Sequence, residues 1–154
     1  IAANVTFSKN KIRNYTELID DYDNGGQQTN FYAKTDLPFS PSAISALSAV
    51  FTPFKNAEIS LIGKYVSRQY LDNTTNISRS LHAYYVQDLR LTYALDRKAE
   101  SFMKFFLQVN NLFSKKYEAN GYTFSYYYGN KLTTENFYFP MAPVNFMLGM
   151  NIRL

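Results

Sequence analysis

The sequence contains no cysteine and no tryptophan, and it has a single histidine. Without cysteine there is no disulfide framework, no thiolate metal site and no cysteine nucleophile. A run of about 18 apolar residues, the minimum for a transmembrane helix, is also missing, so only strands could carry this chain across a bilayer. Lysine and arginine are only modestly in excess, 16 against 12 acidic residues, and they are scattered. A nucleic-acid surface would gather them on one face, so none is expected. No glycine-rich phosphate loop, paired catalytic carboxylates or serine nucleophile motif stands out, and neither an enzyme nor a cofactor is expected. What the chain does have is aromatic side chains: 14 tyrosines and 13 phenylalanines among 154 residues.

The segment 144–154 is the most informative. Phe146, Leu148, Met150, Ile152 and Leu154 alternate with Met147, Gly149, Asn151 and Arg153. A period of two describes a strand with one apolar and one mostly polar face. Its length, about 9 to 11 residues, is that of a tilted strand crossing a bilayer, and globular strands are usually shorter. Burying the five apolar side chains is worth about 7 to 15 kcal/mol as an upper estimate.

The same period recurs upstream. Leu89, Leu91, Tyr93 and Leu95 oppose Asp88, Arg90 and Thr92; Met103, Phe105, Leu107 and Val109 oppose Lys104, Phe106, Gln108 and Asn110. Ala57, Ile59, Leu61, Gly63 and Tyr65 form a third set opposed by Glu58, Ser60 and Lys64, with Ile62 breaking the polarity. Val5 and Phe7 begin a fourth strand, and 42–51 reads less cleanly as a fifth. Connections alternate in length: 52–56 and 96–100 are short, whereas the stretch around Asn24, Gly25 and Gly26 and the segments 67–83 and 113–143 are long. Short turns at one end and long loops at the other characterise outer-membrane barrels, with the long loops outside the cell. Alternation alone does not separate a lipid-facing stripe from the inner face of a soluble sandwich. Strand length, the charged opposite faces and tyrosines near strand ends favour lipid.

Further residues carry a family resemblance. The segments Lys64-Tyr-Val-Ser-Arg-Gln-Tyr-Leu-Asp-Asn-Thr74, Asp88-Leu-Arg-Leu-Thr-Tyr93 and Val109-Asn-Asn-Leu-Phe-Ser-Lys-Lys-Tyr-Glu-Ala-Asn-Gly-Tyr122 resemble the C-terminal barrel region of TonB-dependent outer-membrane receptors of the Bacteroidetes type. In that family an Asn-Leu-Phe stretch ends the penultimate strand, and the chain closes soon after a Pro and an Asn-Phe, as Pro143 and Asn145-Phe146 stand here. Leu154 departs from the terminal Phe most frequent there.

The resemblance implies an all-β, antiparallel transmembrane barrel of about 22 strands, of which residues 1–154 would form about the last six within one barrel domain. The parent would import a scarce nutrient, whether siderophore, cobalamin, glycan or peptide, across the bacterial outer membrane. Its partners would be the rest of its own barrel, the plug, the TonB complex through a region preceding this one, the barrel-assembly machinery through the last strand, and outer-membrane lipid. The opening Ile1-Ala2-Ala3 agrees with a segment of a longer chain. Two other readings stand beside it: a small outer-membrane barrel of about eight strands with a structural or adhesive role, and a soluble lipocalin-like ligand-binding barrel.

Candidate site residues fall in three groups. Phe146, Leu148, Met150, Ile152 and Leu154 form the expected lipid face of the insertion strand; Asp88, Arg90, Lys104, Gln108 and Asn110 are expected to face a lumen or plug. The aromatic loop 122–128, with Tyr122, Phe124, Tyr126, Tyr127 and Tyr128, is the expected place of any ligand contact, since rings with a polar edge suit sugar or siderophore surfaces. The alternative is that these rings brace the loops or extend an aromatic girdle. Asp20, Asp21 and Asp23 could attract Ca²⁺ but match no EF-hand spacing, so a solvated acidic turn is expected there. His82 has no second ligand nearby and reads as a solvated loop residue.

Overall fold

Alternation and aromatic content give twelve strands and, among the described residues, no helix. The computed structural model describes residues 1–97 and 101–153. The strands are β1 (Ala2–Phe7), β2 (Lys11–Asp21), β3 (Gln27–Asp36), β4 (Ala43–Phe54), β5 (Ala57–Val66), β6 (Gln69–Tyr70), β7 (Ser80–Leu81), β8 (Tyr84–Arg97), β9 (Ser101–Asn110), β10 (Glu118–Tyr128), β11 (Lys131–Pro140) and β12 (Asn145–Arg153).

Six of them pair antiparallel in the order β1-β4-β5-β8-β9-β12 and form a wall. All the strands expected from the period of two are in this sheet. Register then decides which residues share a face, because directly paired residues point the same way. Phe146 pairs with Val109, Leu148 with Leu107, Met150 with Phe105 and Ile152 with Met103. Those four pair onward with Leu89, Leu91, Tyr93 and Leu95, and Leu89, Leu91 and Tyr93 with Leu61, Ile59 and Ala57. One continuous apolar face therefore crosses the sheet. Glu58, Ser60, Lys64, Asp88, Arg90, Lys104, Gln108, Asn110 and Asn151 lie on the other.

The sheet does not close into a barrel. Strands β1 and β12 are its two edges, each paired on one side only. Two glycines in the wall are covered by rings, which restores packing where a side chain is missing. Tyr85 lies over Gly63, its hydroxyl 2.6 Å from where a Cβ would stand, and the Phe106 ring lies against Gly149, its directly paired neighbour.

Connections follow the expected alternation. At one end β4 turns into β5 through Lys55 and Asn56, and β8 leads to β9 across a short link whose residues 98–100 lie outside the described ones. At the other end stand three long excursions: the β2–β3 hairpin, the segment 67–83 holding the two-residue strands β6 and β7, and the β10–β11 hairpin. Two of these were expected as loops and are instead long hairpins. Their ascending strands meet in a short parallel pairing, Tyr126 with Asp20 and Tyr127 with Asp21, which joins them into a second sheet ordered β11-β10-β2-β3. This cap holds most of the apolar core: Ile19, Leu71 and Leu81 are buried there, and Val66 and Tyr84 at the adjoining end of the wall.

Candidate functional site

Within the central strand β8 the apolar face is the more open one: Leu91, Tyr93 and Leu95 are 37%, 50% and 42% exposed, whereas Thr92 between them is 7% exposed. A soluble sheet shows the reverse, since burial of apolar area drives its folding. In the edge strand β12 both faces are open, with Met147 on one and Phe146 and Leu148 on the other. Met150 and Ile152 are exposed on the same stripe, and Leu154 lies outside the described residues.

Four of the five polar-face candidates cluster on β8 and β9, Arg90 beside Gln108 with Asp88 and Asn110 one step along the same face, whereas Lys104 is set apart from them by the Thr92–Phe106 pair. Arg90 pairs directly with Gln108, and its guanidinium stands 4.4 Å from the Phe106 ring centroid, a cation–π contact. Gln108 donates to Asn110 (2.7 Å), which donates to Asn145 (2.9 Å). The Asp88 carboxylate accepts the backbone N–H of Asn111 (2.8 Å), fixing the turn after β9, where Asn111 has φ of 51°. Lys104 pairs with Asn151 on the same face.

Residues 122–128 form part of strand β10 and are not a loop. The strand's period therefore splits the aromatic set. Tyr122, Phe124 and Tyr126 project from one face, where they stack with Phe137 and Phe139 of β11: Tyr122 to Phe137 at 4.8 Å, Phe124 to Phe137 at 5.9 Å, Phe124 to Tyr126 at 6.0 Å and Tyr122 to Phe139 at 6.1 Å. Tyr22 extends the ladder, 5.7 Å from Tyr126. Tyr128 shares this face, and Tyr127 points to the other. The ladder is on the outside of the cap, and its rings do not fill the cap core.

The inner face of the same hairpin carries Gly121, Thr123, Ser125 and Asn136. Gly121 is required by close approach: a Cβ there would stand 2.5 Å from the Phe137 carbonyl oxygen and 3.3 Å from Leu71. Beneath it lies a charged cluster. Arg79, 5% exposed, donates through Nη1 to Glu17 of β2 (2.5 Å) and to Asp72 (2.9 Å), and its Nη2 reaches Thr134 of β11 (3.4 Å). Glu17 also accepts from the Tyr32 hydroxyl (3.0 Å) and the Asn30 amide (3.3 Å). Burial alone would lower the Arg79 pKa, but Glu17 and Asp72 outweigh it and hold the guanidinium above its usual value. The same environment raises Tyr32, through burial and then its bond to Glu17, and Tyr15, through burial and then the charges of Glu17 and Asp72.

In the acidic turn Asp20 and Asp23 are exposed, as expected, and Asp21 is not. Asp21 is buried, and its carboxylate accepts the backbone N–H groups of Asp23 and Asn24 (each 3.1 Å) and the side-chain amides of Asn24 (3.1 Å) and Gln28 (2.7 Å). Asp23 reaches across to the opposite hairpin and accepts from Gly129 and Asn130 backbone N–H groups, both at 2.8 Å. These oxygens are occupied by donors, and no group of three metal-ligating residues occurs among the described residues. His82 is exposed.

Sequence reasoning missed Arg79, Glu17 and the two Asp clasps. Arg79 lies in a segment without period, and Glu17 occupies a strand whose inward positions mix the charged Glu17 and Asp21 with Ile19 while Leu18 and Phe31 face out. Comparison with protein-family models, with curated proteins and with solved structures finds no match.

Proposed function

We propose that this chain is a stretch of wall and outer loops from a transmembrane β-barrel of the bacterial outer membrane, and that the barrel is a TonB-dependent receptor importing a scarce nutrient. The observation that carries the membrane reading is the polarity of the wall's central strands: Leu91, Tyr93 and Leu95 of the continuous apolar face are open, while Thr92 between them and Ser60 on the neighbouring strand, both on the polar face, are buried. Four side chains of β12, Phe146 to Ile152, would gain about 6 to 12 kcal/mol from apolar surroundings. Water leaves that unrealised. A soluble lipocalin-like barrel would turn the same stripe inward.

Two further features support the reading. All three long excursions stand at one end of the sheet and the short links at the other, as in outer-membrane barrels. Both sheet edges carry unpaired backbone groups, which hydrocarbon does not tolerate, so the wall needs further strands of its own barrel on each side. The receptor assignment rests on the sequence resemblance. In this reading the chain does no chemistry: the polar face borders a hydrated lumen or plug, and the outward rings of β10 and β11 offer a surface for a ligand with sugar-like or aromatic faces.

Fractionation of the native protein followed by intact-mass measurement in detergent tests the proposal. Recovery from the outer membrane within a chain several times 17.8 kDa that also encodes a plug supports the receptor. Recovery at about that mass would favour the small complete barrel, and recovery from a soluble fraction without detergent would overturn the membrane reading.

A further inference from the structure

We propose that Arg79 is a latch that joins the three long excursions into one lid at the mouth of the polar face, so that they open and close together. The guanidinium projects from segment 67–83 into the space between the two hairpins. Each side gives it a different acceptor: Glu17 from β2, Asp72 from its own segment and Thr134 from β11. Asn136 of β11 also donates to the Ser78 carbonyl (2.9 Å), beside Arg79 in the chain. The lid closes on the polar side of the wall, because Val66 and Tyr84, which pair on that face, are buried at this end. Tyr117, from the root of the β10–β11 hairpin, packs its ring 4.4 Å from Tyr84.

Buried charge makes the motion concerted. If segment 67–83 or the β2–β3 hairpin moved alone, Arg79 or Glu17 would stay in the interior without its partner, the costly arrangement for an ion pair. The β10–β11 hairpin follows β2 through the Tyr126–Asp20 and Tyr127–Asp21 pairing. Moving all three returns both charges to water at once. The latch is also reversible by construction. Its Nε–H is buried with no acceptor, so closure leaves one donor unsatisfied and the closed form is less favourable than its ion pairs alone would make it. At the tips, Asp23 on Gly129 and Asn130 adds a second, exposed fastener between the hairpins that does not involve segment 67–83. This inference concerns the loops alone and does not depend on what covers the wall.

Hydrogen exchange on the full native chain in detergent, comparing the wild type with Arg79→Met, tests it. The expected result is a rise on the order of a hundredfold at amides of β2, segment 67–83 and β10–β11 alike, with β5, β8 and β9 unchanged. A rise confined to 67–83 would overturn the proposal. Should Arg79→Met also loosen the wall, Asp72→Asn decides. It alters only segment 67–83 directly, so faster exchange in both hairpins supports the latch and unchanged hairpins refute it. Asp23→Asn is the control, expected to free the tips near 22–26 and 128–131 and to leave 67–83 protected.

Discussion

Wall and cap share an arrangement and differ in what fills it. In both, one face is apolar or aromatic and open while the other carries polar groups: Leu148 and Phe146 against Gln108 and Asn110 in the wall, Tyr122 and Phe137 against Thr123 and Asn136 in the β10–β11 hairpin of the cap. The cap also encloses Ile19, Leu71 and Leu81. The polar side of the cap is packed shut by segment 67–83 and held by an ion-pair cluster. That of the wall carries hydrogen-bonded side chains and one cation–π contact. The comparison teaches where stability must come from. On the proposed reading the wall draws on backbone ladders and an apolar surrounding, and the cap on its buried ion pairs and a small apolar core.

The change that should separate the regions most is Arg79→Met, which leaves Glu17 and Asp72 without their cation. Loss of one partner of a buried pair costs about 3–5 kcal/mol, and it should fall on the cap alone. Denaturant unfolding with probes placed in each region would read the difference. Next in size is Met150→Arg, near the middle of the β12 stripe, expected to cost about 2–4 kcal/mol in lipid, while the adjacent Asn151→Arg on the polar face should cost about 0.5 kcal/mol or less. Equal losses would contradict the face assignment. Asp23→Asn, which weakens two exposed hydrogen bonds, should cost about 0.5–1.5 kcal/mol and show as faster exchange at Gly129 and Asn130.

Acid should give the smallest effect, again in the cap. The Gln28 and Asn24 amides, then the backbone N–H groups of Asn24 and Asp23, hold the Asp21 carboxyl below its ordinary range. A depressed folded pKa contributes stability that is complete above the unfolded value near 3.8 and lost as pH falls through the folded one. The turn 21–26 should therefore gain mobility below about pH 4, and Asp21→Asn should remove that pH dependence in amide exchange.

How much of this was legible in the sequence follows from the same contrast. Wall strands β5, β8, β9 and β12 alternate apolar with mostly polar over nine or more residues, and register carries Leu148, Leu107, Leu91 and Ile59 to one face. Local pattern and tertiary pairing agree there. In the cap they part. Strand β2 alternates too, but the side it buries holds Glu17 and Asp21 on either side of Ile19, so it does not read as an apolar stripe. Residues 113–143 read as a loop because Gly121, Thr123 and Ser125 lack an apolar stripe, and aromatic side chains on alternate positions looked like a cluster instead of one face of a strand. Partners of Arg79 lie 62 and 55 residues away, at Glu17 and Thr134. No local spacing encodes them.

The central claim, that the apolar face of the wall meets lipid, is tested most directly by fluorescence. This chain has no tryptophan of its own, so one placed at Leu148 and one at Asn151, each in the assembled protein in bilayers with brominated acyl chains, report the two faces separately against the unsubstituted protein. The account predicts strong quenching at position 148 and little at 151. Equal quenching at both, or stronger quenching at 151, would contradict it.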